Sequence, residues 1–165
     1  MVGRWRGTGL PTGHPFDGLL EQYGWYGKEV VDPETVHPLL FRGSRGAPYP
    51  VDPDHAPLGL LRRFPDLART SAARASFSVV RPLRRTTRPA ARLRMLERRG
   101  VVTAALVYDR LPVIDVFRRV SDSTLLGLMD MRAVAQPFFF VLDRETAGPG
   151  IWTQRPGPSD LDPAT

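Results

Sequence analysis

Cysteine is absent from the 165 residues. That excludes a disulfide framework, a thiol nucleophile and any cysteine-held zinc or iron–sulfur centre. Lysine is nearly absent too: Lys28 is the one lysine among 23 basic residues. Histidine is scarce, and His14, His37 and His55 lack the i, i+2 or i, i+4 spacing of a metal site. No metal and no other cofactor is expected. No apolar run approaches the roughly 18 residues of a membrane span. No basic start with an apolar run precedes Gly3, so a cytoplasmic protein is expected. "GTGLPTG" lacks the lysine of a phosphate loop, and "SDS" at 121–123 lacks the glycines of a nucleophile elbow.

What is present is enough apolar material for a core, 42% of residues, in a chain of one domain's length. Net charge is +6, and twelve arginines fall between Arg62 and Arg99 against Asp66 and Glu97. Such a stretch either meets an anionic ligand or forms solvated helix and strand faces. No helix-turn-helix, zinc-finger or RNA-binding signature accompanies it, so no nucleic-acid partner is expected.

Four regions divide the single domain 1–165. Residues 1–45 are punctuated by glycine: a short strand around Trp5, a turn, and a short helix carrying Phe16, Leu19, Leu20 and Tyr23 with Thr12 as its N-cap. "KEVVDPETVHPLLF" reads as strand, proline turn and strand. Residues 46–89 are a loop and one or two short helices interrupted by Pro65. Residues 90–145 change character. Five short segments rich in β-branched and aromatic residues, separated by turn signals, suit an antiparallel meander. Residues 146–165 read as a loose tail. Seven to nine strands with one to three short helices predict a mainly β fold, an antiparallel β-barrel with a helix plugging one end.

"GRWRG" carries a G-x-W-x-G pattern at Gly3, Trp5 and Gly7. With "PTGHPFDGLLEQYGWYGK" and "VHPLLF" it resembles a short bacterial and fungal domain known by that motif. The segment from "ARLRMLERRG" to "GLMDM", with "PFFFVLDRE", resembles that domain's usual companion, a domain of unknown function. The start is also similar to that of calycin-type barrels, the lipocalin and fatty-acid-binding group, and of the nitrobindin haem proteins. The likeness implies a calycin-like barrel in which Trp5 closes the floor. The haem proteins use a histidine late in the chain, whereas the last one here is His55, so the likeness implies no haem.

Asp115 is the sharpest chemical signal. It sits mid-strand in "VIDVF", on one face with Val113 and Phe117. If that face is inward, Asp115 is an acid–base group or the partner of an inward arginine, since a buried carboxylate is costly alone. If outward, it is solvated. Asp109 and Asp130 end apolar runs and either start turns or converge with Asp115 at a barrel mouth. His14, between Gly13 and Pro15, is either an acid–base group or a ring that locks its turn. Tyr23, Trp25, Tyr26, Tyr108, Phe117, Phe138 and Phe140 supply an aromatic lining or simply a core. Arg92 and Arg94 form a cationic strand face, outside or aimed at a ligand carboxylate.

The function these features imply is a barrel enzyme without cofactor. It binds a small hydrophobic substrate among aromatic side chains and catalyses an isomerisation or cyclisation. Asp115, His14 and Asp109 are the expected acid–base groups, with Asp130 among the ligand contacts. The alternative is a non-catalytic carrier of a small hydrophobic ligand. A homodimer stays open.

Overall fold

The computed structural model describes residues 1–43, 46–54, 63–132 and 134–145. Nine strands form one antiparallel sheet: β1 (Gly3–Gly9), β2 (Trp25–Val30), β3 (Val36–Arg42), β4 (Pro48–Pro50), β5 (Ala91–Arg98), β6 (Val101–Tyr108), β7 (Val113–Arg119), β8 (Thr124–Met131) and β9 (Val134–Arg144). The spatial order is β2-β1-β9-β8-β7-β6-β5-β3-β4, and β2 also pairs with β3. The sheet therefore comes back on itself, nearly closed into a ring. The weak seam lies between β3 and β5, which pair at Val36 and Ala91 alone; further along that edge β3 pairs with β4. The expected meander is β5 to β9. Its first hairpin turns on Arg99 and Gly100, both at positive φ (53° and 75°), the backbone of a tight hairpin turn.

Three short helices lie among the described residues: α1 (Leu19–Gln22), α2 (Pro65–Ala68) and α3 (Ser71–Val80), followed by a 3-10 turn at Arg81–Arg84. Pro65 opens α2 at its first turn, where the missing N–H costs nothing, rather than interrupting a helix. Thr70 caps α3, its hydroxyl accepting from the Ala73 N–H. Phe77 docks α3 edge-on against Tyr23 and at a tilt against Phe41, at 4.9 and 5.3 Å between ring centres. The first helix is shorter than its spacing predicts, and Thr12 does not cap it. The Asp17 carboxylate instead accepts from the N–H groups of Thr12, Gly13 and His14. Three charge-assisted bonds hold this turn non-helical. The helical part of the loop reading at 58–62 and the tail at 146–165 lie outside the described residues.

The ring's interior is the core. Trp5, Leu106, Phe117, Phe138, Phe140 and Leu142 are each 2% exposed or less. Trp5 donates its indole N–H to the Met1 carbonyl at 2.8 Å and carries the Arg144 guanidinium on its face. Two glycines make the aromatic packing possible. A side chain at Gly7 would fall inside the Trp25 ring. Gly27 has a φ of +150° and approaches the Trp5 backbone too closely for any Cβ. The pairing of β2 with β3 slips on both sides of Gly27, a bulge that glycine allows.

Trp5→Ala should lower stability by about 3–5 kcal/mol, the range for a buried tryptophan truncated without collapse of the site. Equilibrium denaturation measures it; a loss below about 1 kcal/mol would place Trp5 outside the core.

Candidate functional site

The bulge at Gly27 decides what the ring contains. Trp25 and Lys28 are three residues apart, and a regular strand would send them to opposite faces. With the extra residue at the bulge both turn inward, and the Lys28 Nζ lies 5.6 Å from the centre of the Trp25 ring. From the far side of the ring, β7 alternates Val113, Asp115 and Phe117 into the interior. Asp115 Oδ2 and Lys28 Nζ meet at 2.8 Å, with the two side chains 0% and 3% exposed.

The ammonium has three N–H donors and three acceptors. Besides Asp115 Oδ2, it donates to the Pro38 carbonyl at 3.1 Å and to the Tyr108 hydroxyl at 3.2 Å. Tyr108 in turn donates its O–H to Asp115 Oδ2 at 3.1 Å. Burial, then the Asp115 charge and its hydrogen bond, hold the Tyr108 phenol well above its ordinary pKa. It therefore stays a proton donor. The Phe140 ring centre lies 5.0 Å from the ammonium and meets Trp25 edge-on. A guanidinium would not fit this shell. Its five donors, fixed in one plane, match these acceptors less well than the three of an ammonium. That is a physical reason for the chain's one lysine to stand here, and its rarity was the signal in the sequence that pointed to it. Sequence reasoning missed Lys28 as a site residue.

Two buried polar atoms in this neighbourhood have no partner: Asp115 Oδ1 and Trp25 Nε1. One accepts and the other donates.

The remaining expected residues fall elsewhere. His14 is buried but occupied at both nitrogens. Nδ1 accepts from the Phe16 N–H at 3.0 Å, which puts the proton on Nε2, donated to the Gln136 carbonyl at 3.1 Å. Burial outweighs the Gln136 carbonyl and the Asp17 charge and lowers its pKa. His14 is the ring that locks its turn onto β9. Asp109 pairs with Arg92 at 2.8 Å and Asp130 with Arg98 at 2.5 Å, both on the outside of the sheet. They do not converge with Asp115. The inward arginine expected beside Asp115 is also absent from its face: Arg119, which shares the phase, is exposed and pairs with Asp122. The cationic face of β5 points outward, Arg94 pairing with Glu34 at 2.9 Å. Tyr108, Phe117 and Phe140 surround the ion pair with Trp25. Phe138 stacks on Phe140 and touches His14. Tyr26 reaches Glu145 at 2.8 Å, away from the pair, and Tyr23 donates to the Ala68 carbonyl at 2.6 Å beneath the helices. Among the described residues no group of three His, Cys, Asp or Glu side chains is placed to hold a metal ion, and no helix is long and apolar enough to cross a membrane.

Comparison with known proteins gives two family matches and one solved structure. The GXWXG protein family matches residues 1–46, and a domain of unknown function (DUF4334) matches residues 89–144. A crystal structure of a protein from Thermomonospora curvata is 32% identical. It covers 88% of this chain and 76% of its own, with a TM-score of 0.63. No curated protein matches the sequence.

The buried pair makes a double-mutant test. Lys28→Met and Asp115→Leu should each cost about 3–5 kcal/mol, because each leaves a charge buried alone, while the double variant should recover most of the loss. Additive losses in denaturant titrations would mean that the two side chains do not pair. His14 sets a pH dependence. The unfolded imidazole takes up a proton near its ordinary 6.5, and the folded one only at lower pH. The folded chain thus binds fewer protons, and stability falls as pH drops below about 6.5. The melting temperature should decline between about pH 7 and pH 5, and more steeply in the wild type than in His14→Gln. Parallel profiles would show that His14 is not buried in its neutral form.

Proposed function

The chain belongs to the GXWXG family and carries that family's companion domain of unknown function, and on that premise we propose that it is a cofactor-free enzyme acting on a small hydrophobic molecule inside the ring. The reaction is an isomerisation or cyclisation, with Asp115 as the acid–base residue. One observation carries the reading: Asp115 Oδ1 is a free carboxylate oxygen in an interior of aromatic and aliphatic side chains.

Roles follow from the contacts. Asp115 Oδ1 takes a proton from the substrate and returns it elsewhere on the same molecule. Lys28 and Tyr108 are positioning residues: both bind Oδ2 and so orient Oδ1. Trp25, Phe117, Phe138 and Phe140 exclude water and fix an apolar substrate by shape. For a cyclisation, holding the reactive ends together lowers the barrier by itself. His14 and Asp109, expected as further acid–base groups, are committed to the Gln136 carbonyl and to Arg92 and have no part. The carrier reading draws on the Lys28 ammonium, whose three donors are all taken by the chain, as befits a permanent structural cation.

Both reaction types conserve mass, which supplies the test. An apolar cell extract incubated with the protein should lose one compound and gain another of equal mass and different retention time. Asp115→Asn should retain the compound but convert it at least about 100-fold more slowly, the scale of acid–base catalysis. Stoichiometric retention of one compound by the wild type, with no conversion, would establish the carrier instead.

A further inference from the structure

The outside of the ring carries one segment whose charge is uncompensated. From Arg63 to Arg88 there are seven arginines and one acidic residue, Asp66. That excess equals the net charge of the whole chain, +6, so the remaining residues balance one another. The fold shows the same division. Among the described residues there are eight ion pairs, and none of them involves this segment. Two of its arginines fasten it to the ring instead. Arg81 donates to the Tyr23 carbonyl at 3.1 Å, and Arg69 donates to the Pro15 carbonyl at 3.0 Å. Arg63, Arg74, Arg85 and Arg88 are exposed.

The same segment exposes apolar side chains. Val79 and Leu83 are 73% and 83% exposed, more than any other large apolar residue among those described, and Phe64, Leu67 and Val80 are exposed with them. The helix α3 has no buried residue and meets the ring through Ala73 and Phe77, which are half-buried and one helical turn apart. Helical spacing sets Ala72, Ala75 and Val79 on the opposite side, and all three are exposed. Leu83 follows in the 3-10 turn. A surface helix is ordinarily polar on the side away from its core. Here Arg74 is the one charged residue of α3, and the other arginines flank the helix at both ends.

We propose that α2, α3 and the 3-10 turn form a surface that docks on anionic phospholipid, with Val79 and Leu83 entering the headgroup layer and the flanking arginines on the lipid phosphates. Such a surface satisfies both halves of the segment at once: it is negative, and it is apolar just beneath. Other anionic partners satisfy one half. A nucleic acid duplex offers phosphates but no place for exposed valine and leucine. A single strand stacks on aromatic rings, and Phe64 is the one exposed ring of the segment. An acidic protein would need an apolar patch of matching outline set among its carboxylates, whereas fluid lipid takes any outline. The surface lies outside the ring and needs nothing of Asp115.

Vesicle flotation of the full chain is the test. The chain should float with vesicles of equal parts phosphatidylcholine and phosphatidylglycerol, and bind phosphatidylcholine vesicles at least about tenfold more weakly. Raising salt from about 0.1 M to about 0.5 M should weaken binding to the mixed vesicles, because exposed charges are screened. Val79→Ser with Leu83→Ser should weaken it about tenfold at unchanged charge. Arg84→Gln with Arg85→Gln and Arg88→Gln should weaken it about tenfold or more at unchanged apolar surface. The chain has no cysteine, so Leu83→Cys provides a single thiol for a polarity-sensitive dye. Its emission should shift to the blue on the mixed vesicles and stay unmoved on phosphatidylcholine alone. Equal binding to both vesicle types, or no binding and no dye shift, would overturn the proposal. Binding to a DNA duplex or to polyglutamate in preference to the mixed vesicles would overturn it as well, and would make the segment a site for an acidic macromolecule.

Discussion

The Lys28–Asp115 pair sits where β2 and β7 face each other across the ring, and the rest of the interior is arranged to tolerate it. Two charges at 2.8 Å and almost no exposure have given up their water. Their attraction offsets that loss only if the remaining donors and acceptors are also satisfied. The ammonium meets this condition through the Pro38 carbonyl and the Tyr108 hydroxyl. The carboxylate meets it at one oxygen and not at the other.

Aromatic side chains enclose the pair, and glycines make room for them. Trp25 lies over Gly7, where no side chain fits, and Phe140 lies in the same way over Gly127. Trp5, opposite Lys28 in the β1–β2 ladder, is buried on the same face with its indole N–H engaged. The G-x-W-x-G motif thus has two jobs. Its tryptophan fills the ring, and its second glycine admits a different tryptophan, the one beside Lys28. The following turn, tied by Asp17 and His14, fastens onto β9 through Gln136.

Charge is sorted by face. The described arginines of β5 and its neighbours lie outside, paired with Asp109, Glu34 and Asp130, where ion pairs contribute little and are screened by salt. Of the twelve arginines between Arg62 and Arg99, three, Arg92, Arg94 and Arg98, thus lie on the outward face of β5. Inside the ring the charges of the pair are one lysine and one aspartate.

The strands, the meander from β5 to β9 and the near-closure of the sheet were legible in the sequence, because period-two alternation and turn residues are local signals. The inward aim of Asp115 was one of two readings of the same alternation. Which reading held depended on where the sheet put its core, and that is a property of the nearly closed ring. Lys28 was visible as the one lysine, yet nothing local told where it pointed. Three residues after Trp25, it reaches the interior only because β2 bulges at Gly27, where the Trp5 backbone lies too close for any side chain. His14, Asp109 and Asp130 have the residue types of acid–base groups. Their partners, Gln136, Arg92 and Arg98, lie 122, 17 and 32 residues away in the chain, so only the folded sheet could commit them to structure. Sequence alone determined the strands and the turns between them, since these depend on neighbouring residues. Tertiary structure decided which polar side chains share the interior, since that depends on strands from opposite sides of the ring meeting across it.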